Sequence, residues 1–217
     1  MSKIGIDVGS THTDAVILDE KNNLLAAVKT LTTHDVTTGI IRALKLVLEK
    51  GKRDDIKAIM FGTTHIVNAI IQRKGLGKVG IIRIGLPATE AIEPMYDWPL
   101  ELKEAIKAQI YLVKGGHDYT GEAIAPLDEE KLKKIFEGLK DLDSLAITSV
   151  FSIVNPKHEL RAKELAERYL SIPIVLSHEI GTIGLIEREN ATILNAATIP
   201  VMRKVIDSLK EALEDMK

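Results

Sequence analysis

The stretch Ile4-Gly5-Ile6-Asp7-Val8-Gly9-Ser10-Thr11-His12-Thr13-Asp14-Ala15-Val16 decides the fold, because a tight turn of small residues joins two apolar runs. Residues 3–8 and 12–19 are rich in Ile, Val and Leu, which is typical of short strands. A second polar turn, residues 20–23, leads to another such run at residues 23–31. The chain is therefore predicted to open with a three-stranded antiparallel meander.

Strands and helices alternate after the meander. Residues 35–50 carry apolar side chains at helical spacing, with Asp35 as the expected N-cap and Gly51 as the stop. They are followed by a strand at 56–61, a helix at 65–73 and a strand at 78–84. This alternation is typical of βα units on a shared sheet. We predict an α/β fold in which a five-stranded mixed sheet carries helices on both faces.

The second half of the chain is predicted to hold an irregular excursion and a further βα region. It is expected to contain a helix near 100–108, a hairpin that pairs 109–113 with 123–125, and a final helix over 192–216 that contains Pro200 as a kink site. Between them lie a helix at 128–139, a strand at 144–150, a helix at 157–169 and a strand at 173–176. The predicted parts are residues 1–90, 91–127 and 128–217.

Composition narrows the classes of partner and compartment. Because 29 basic residues face 31 acidic ones, the formal charge of -2 gives no global positive field for nucleic acid or an anionic membrane. The absence of cysteine excludes disulfides and thiolate metal sites. Apolar runs such as residues 79–82 are far shorter than the roughly 20 residues of a membrane helix, and no signal-peptide core follows Met1. We expect a cytoplasmic protein.

The first turn has the chemistry of a phosphate cradle. Asp7 ends a strand, and the small residues after it let backbone N–H groups converge on an anion while the hydroxyls of Ser10 and Thr11 add donors. A carboxylate at Asp7 suits a hydrated Mg²⁺ or the positioning of a nucleophile. The alternative is structural: Asp7 caps a turn and Gly9 permits a positive φ. The sequence contains no Walker-type lysine loop.

These residues carry a resemblance. Asp7-Val8-Gly9-Ser10-Thr11-His12-Thr13 resembles the first phosphate motif of the sugar kinase, actin and heat-shock ATPase superfamily, and activators of acyl-CoA dehydratases share this turn. Four later segments resemble the hydantoinase/oxoprolinase family in the same order: Phe61-Gly62-Thr63-Thr64-His65, Phe151-Ser152-Ile153-Val154-Asn155-Pro156, Leu176-Ser177-His178-Glu179 and Glu187-Arg188-Glu189-Asn190-Ala191. The chain departs from the family in Ser10, where a glycine is more usual.

The resemblance implies a function and a set of site residues. It implies a ribonuclease-H-like lobe, with residues 1–90 as its phosphate-binding part, in an enzyme that uses ATP and Mg²⁺ to open a cyclic amide such as a hydantoin or 5-oxoproline. Ketone carboxylases are relatives. Asp7 would be the catalytic or metal-holding carboxylate. The phosphates of ATP would be surrounded by Gly9, Ser10, Thr11, His12 and Thr13, with Gly62, Thr63 and Thr64 beside them.

The resemblance also implies a missing half. Family members continue into a second lobe with another phosphate segment and the nucleoside pocket, and nothing after Ala196 supplies either. We therefore expect a second lobe or subunit as partner, no nucleic-acid or membrane partner, and little activity from the chain by itself. The alternatives are a non-catalytic nucleotide-binding or assembly module and a fragment of a ketone carboxylase subunit.

Other polar residues have structural as well as functional interpretations. Thr63 or Thr64 is a candidate cap for the helix that follows, and Asn155-Pro156 is typical of a helix start before His158 and Glu159. His178-Glu179 follows a strand, where open α/β sheets bind ligands. The six histidines are scattered, which predicts no metal site built from them.

Overall fold

The chain divides into two compact units. The computed structural model describes residues 2–9, 11–33, 36–51 and 56–214. One unit comprises residues 1–71 and 202–217, and the other comprises residues 72–201. These units differ from the predicted parts 1–90, 91–127 and 128–217, because the strand near residue 80 pairs with later strands and the end of the last helix packs on the first sheet.

The first unit contains a four-stranded mixed sheet. Its elements are β1 (Ser2–Val8), β2 (His12–Leu18), β3 (Leu24–Leu31), α1 (Val36–Lys50), β4 (Ile56–Thr63) and α2 (His65–Gln72). The strand order is β3-β2-β1-β4. β1 pairs with β2 and β2 with β3 in antiparallel fashion, whereas β4 is parallel to β1. The predicted meander is confirmed. The expected cap Asp35 lies outside the described residues.

The core of the first unit lies on one face of this sheet. Burial alternates along β1, so that Ile4, Ile6 and Val8 are buried while Asp7, between them, is exposed. The buried strand residues pack against the apolar stripe of α1 and against Val205, near the end of the chain. This alternation places the Asp7 side chain on the opposite face from the core.

The second unit contains a parallel sheet. Its elements are β5 (Val79–Leu86), α3 (Leu100–Ala105), β6 (Gln109–Lys114), α4 (Glu129–Gly138), β7 (Ser144–Ser149), α5 (Lys157–Ala166), β8 (Ile174–Leu176), a 3₁₀ turn (Ser177–Glu179) and α6 (Leu185–Glu214). The strand order is β6-β5-β7-β8, and every pair is parallel. Both faces are covered. Ile82 and Ile84 lie in the cluster that contains α4 and α5 residues, whereas Ile81 lies in the cluster that contains α6 residues.

Three predictions about these elements need correction. β5 does not complete a five-stranded sheet with the meander, since it is buried along almost its whole length between β6 and β7. The hairpin is also wrong: β6 is parallel to β5, and Ala123 forms an isolated bridge with His117, which lies outside the predicted arm 109–113. Finally, α6 begins at Leu185, ahead of the predicted Thr192. Its first turns contain the buried charged residues Arg188 and Glu189, so the apolar pattern does not indicate the true start of the helix.

The length and composition of the helices show whether any of them could span a membrane. Helix α6 spans 30 residues, but charged side chains lie at residues 187–189 and again from Arg203 onward. Among the parts of the chain that the structure describes, no helix combines the length and apolar character needed to cross a bilayer.

Candidate functional site

The two predicted phosphate segments lie at one edge of the first sheet. Because β1 and β4 are parallel neighbours, Asp7 is in register with Gly62 and Val8 with Thr63. Both strands end there, so the turn after β1 and the Gly62-Thr63-Thr64 segment emerge side by side. The convergence of the two segments is therefore present in the structure, while binding of phosphate by them stays a prediction.

Hydrogen bonds hold the turn after β1 from two sides. The Gly9 backbone N–H donates to the His12 carbonyl at 2.9 Å. From the end of β3, Thr32 donates its N–H to the Thr11 carbonyl and its hydroxyl to the Gly9 carbonyl, each at 2.9 Å. These bonds fix the path of the turn before any ligand arrives. Ser10 lies outside the described residues.

The side chains of the turn divide into exposed and buried groups. Thr11 is exposed, and its hydroxyl lies 3.1 Å from His12 Nδ1. Thr13 differs from the predicted role, since it is fully buried and its hydroxyl lies 3.1 Å from the Thr32 hydroxyl. The alternating geometry of β2 turns it toward the core. Thr13 therefore braces the turn from inside and does not present a hydroxyl to solvent.

The Gly62-Thr63-Thr64 segment combines open space with a helix cap. A Cβ atom at Gly62 would lie 3.3 Å from Asp7 Oδ1, so glycine leaves the space beside that carboxylate free. Thr63 accepts a hydrogen bond on its hydroxyl from the His65 N–H at 2.9 Å, which confirms the capping interpretation. Thr64 is exposed, and its N–H donates to the Val8 carbonyl.

The donor set at this edge suits a hydrated Mg²⁺ and phosphate oxygens. Asp7 is an exposed carboxylate, and Thr11 and Thr64 add hydroxyls on exposed residues. Mg²⁺ usually keeps several waters and binds one or two carboxylates together with substrate phosphates. In the described residues, no group of three His, Asp or Glu side chains could hold a metal by itself. One carboxylate with waters and phosphates is thus the arrangement that these residues fit.

A second polar cluster lies in the second unit. The sequence indicated only His178 as a functional candidate there, and the partners of His178 were missed. Glu159, on α5, is fully buried and accepts hydrogen bonds from the Ser149 N–H at 2.7 Å and the Ser177 hydroxyl at 2.5 Å. Its other oxygen accepts the His178 N–H at 3.1 Å and lies 2.6 Å from His178 Nδ1. The carboxylate that contacts His178 is therefore Glu159, and its neighbour in sequence, Glu179, is exposed.

Arginines complete this buried cluster. Arg188 donates to the Ser177 hydroxyl at 3.0 Å and to the Ser149 carbonyl at 2.7 Å, and burial lowers the pKa of its guanidinium. Arg83 and Glu189 form an ion pair with no solvent exposure of either side chain. The available sequence signal was the charged run at residues 187–189 inside an apolar helix. Such charges are rarely buried unless they are paired.

The backbone at the start of the 151–156 segment is also unusual. Phe151 has a φ of 47°, in the left-handed region that bulky residues rarely adopt. The Asn155 side chain accepts the Lys157 N–H at 3.2 Å, as expected of a helix start. This segment joins β7 to α5 and so positions Glu159.

Comparison with known proteins gives the relationships of the chain. A family model described as the hydantoinase/oxoprolinase N-terminal region matches residues 3–170. An uncharacterized protein of Methanocaldococcus jannaschii is 30% identical, over 96% of this chain and 33% of its own length. The caprolactamase alpha subunit of Pseudomonas jessenii is 26% identical, over 99% of this chain and 34% of its own length.

Solved structures show the same fold. A crystal structure of the ATP-dependent caprolactamase from Pseudomonas jessenii superposes with a TM-score of 0.69 at 24% identity. A nucleotide-free acetone carboxylase structure gives the same TM-score at 22% identity. Each covers 97% of this chain and 34% of the known chain. The chain thus spans about a third of the length of these relatives.

The family match extends from β1 through α5. It includes the edge of β1 and β4 and also Glu159 of the buried cluster, but not Ser177, His178, Arg188 or Glu189. The matched residues also include the first two of the four family-like segments, at residues 61–65 and 151–156. The chain belongs to the hydantoinase/oxoprolinase family and corresponds to its N-terminal region.

Proposed function

We propose that this chain is the phosphate-binding N-terminal lobe of an ATP-dependent enzyme that opens a cyclic amide. The observation that carries the proposal is the shared edge of β1 and β4, where an exposed carboxylate, a braced turn and a glycine without a side chain lie together. The family relationship and the ATP-dependent caprolactamase relative support the choice of reaction.

Each residue of this edge has a proposed role. Asp7 holds a water of a Mg²⁺ ion, and Gly62 keeps the approach to that carboxylate open. The turn that follows Gly9 and the Thr11 hydroxyl bind phosphate oxygens, while Gly9, Thr13 and Thr32 hold the turn in place. When bound, ATP supplies the phosphoryl group that turns an unreactive amide oxygen into a leaving group, with Mg²⁺ offsetting charge.

The proposal includes a second lobe or subunit. The relatives are about three times as long as this chain, which would supply one phosphate-binding edge, in the first unit. The order β3-β2-β1-β4, with an antiparallel meander and a parallel fourth strand, supports a ribonuclease-H-like interpretation of that unit. The nucleoside pocket would come from the second lobe. Because positioning supplies most phosphoryl-transfer catalysis, the chain alone should turn over ATP poorly.

The test uses the assembled enzyme that contains this lobe. Asp7→Asn should reduce amide-dependent phosphate release by about 100-fold or more, as losing a charge-stabilising group commonly does. Gly62→Ala should weaken Mg-ATP binding in calorimetry, because the new methyl group meets Asp7 Oδ1 at 3.3 Å. Gly138→Ala is the matched control, since nothing lies within 4 Å of its Cβ position.

Two results would contradict the proposal. One is unchanged nucleotide affinity and turnover in both Asp7→Asn and Gly62→Ala. The other is robust amide opening by the 217-residue chain alone, which would show that a second lobe is not needed. A substrate panel that contains a hydantoin, 5-oxoproline, a lactam and a ketone with bicarbonate identifies the reaction.

A further inference from the structure

A cavity of about 570 Å³ opens in the second unit, next to the carboxyl ends of β6 and β7. Its polar lining includes His117, Glu122, Asn155, Lys157, His158 and Arg161. Cavities of roughly 300–1,000 Å³ suit small organic ligands, and the carboxyl ends of parallel strands are where open α/β sheets bind them. Neither the size nor the position of this cavity is explained by the phosphate edge of the first unit.

Two stacked histidines form the inner wall of the cavity. His117 is only 2% exposed, and its Nδ1 is buried without a hydrogen-bond partner in the described structure. Its ring centroid lies 4.2 Å from that of His158. Since His158 Nδ1 accepts the Gly116 N–H at 2.9 Å, a neutral His158 ring carries its proton on Nε2. The His117 nitrogen has almost no exposed surface, so the partly exposed His158 ring is the one of the two that a ligand in the cavity can reach.

The cavity wall carries two basic and two acidic side chains, and its positive charge is concentrated at the start of α5. Arg161 is held by Glu129, with Nη2 2.8 Å from the carboxylate. Lys157, in the first turn of α5, has no carboxylate within ion-pair distance among the described residues. The amino end of α5 adds the favourable end of its dipole for an anion. Glu122 is exposed and faces solvent as well as the cavity.

We propose that this cavity binds a small carboxylate- or phosphate-bearing molecule, with its oxyanion beside Lys157 and the amino end of α5, and with the His158 ring, backed by His117, donating to it through Nε2. The electrostatics of the free protein agree. Burial is the main cause that lowers the pKa of both His117 and His158, and Lys157 further lowers that of His117. Both rings are therefore neutral near pH 7, and a bound anion should raise their pKa values.

The binding test uses the purified chain and the NMR signals of the histidine rings. Inorganic phosphate and acetate are titrated separately at constant ionic strength set with chloride. Saturable shifts of the His117 and His158 signals, together with a higher pKa for both rings, are expected, whereas a shift of the His12 signal reports on the edge of the first unit. A response to phosphate alone identifies a phosphate-bearing ligand, and a response to acetate alone identifies a carboxylate.

A pair of variants on α5 tests the proposed charge. Lys157→Ala should weaken anion binding by about tenfold, because it removes one charge-assisted contact. Lys163→Ala, on the same helix and outside the cavity lining, should leave it unchanged. Asp7→Asn should also leave anion binding in the cavity unchanged, so the test distinguishes this site from the proposed nucleotide site. Shifts that never saturate, shifts reproduced by chloride, or equal affinity in Lys157→Ala would overturn the proposal.

Discussion

Replacement of Glu159 by glutamine should cost a large part of the stability of the second unit. The carboxylate is fully buried and accepts from the Ser149 N–H, the Ser177 hydroxyl and the His178 N–H. Glutamine keeps the size but removes the charge, and its NH₂ group turns a donor toward other donors. Removing one partner from a buried charged network costs about 3–5 kcal/mol.

The assay is thermal or urea unfolding of the purified chain. At about 2–4 °C of melting temperature per kcal/mol for a chain of this size, Glu159→Gln should lower the midpoint by roughly 6–20 °C. Glu164→Gln is the control on the same helix. Its side chain is 63% exposed and pairs with Arg161 at the surface, so its loss should cost less than about 1 kcal/mol. Equal midpoints for the two variants would refute the role assigned to Glu159.

Three further predictions concern the second unit. Thr148→Val should stabilise the chain by up to about 1 kcal/mol in urea unfolding, because the Thr148 hydroxyl is buried without a partner; a clear loss would contradict this. Gly116→Ala should destabilise by about 2 kcal/mol relative to Gly138→Ala, since Gly116 has a φ of 91° and its Cβ would lie 3.1 Å from a neighbouring side chain. The unfolding free energy should also fall as pH drops below 6.5, because the lowered pKa values of His117 and His158 let the unfolded chain bind protons that the folded chain does not; a His117→Gln variant with an undiminished fall would refute that cause.

Local patterns predicted most elements, but not which strands pair. The meander followed from three apolar runs joined by short polar turns, a pattern in which neighbours in sequence pair. The position of β5 did not follow, because a run that is apolar on both faces indicates a central parallel strand without naming its partners. The same ambiguity produced the hairpin error at β6, where the glycines after the strand resembled a turn between antiparallel arms.

Prediction of the site failed at the residues whose role depends on distant partners. The sequence favours a helix start at Glu159, because the capping residue Asn155 and Pro156 lie four and three residues before it. Its burial depends on Ser177, His178 and Arg188, which adjoin it only after β8 pairs with β7 and α6 covers the sheet. A charged residue at a helix start is most often solvated, so the local pattern favoured the wrong environment.

The buried position of Thr13 gives the two threonine hydroxyls of the first turn different roles. A phosphate site needs donors that face the ligand and also a backbone that does not collapse when the ligand leaves. The hydroxyls of Thr13 and Thr32 and the Gly9 carbonyl form a chain of bonds beneath the turn, with lengths of 3.1 and 2.9 Å. Thr11 is exposed at the position where a ligand would bind, whereas Thr13 is buried and holds the turn through its hydrogen bond. A turn held in this way meets the requirement for preorganisation that the proposed phosphate site places on it.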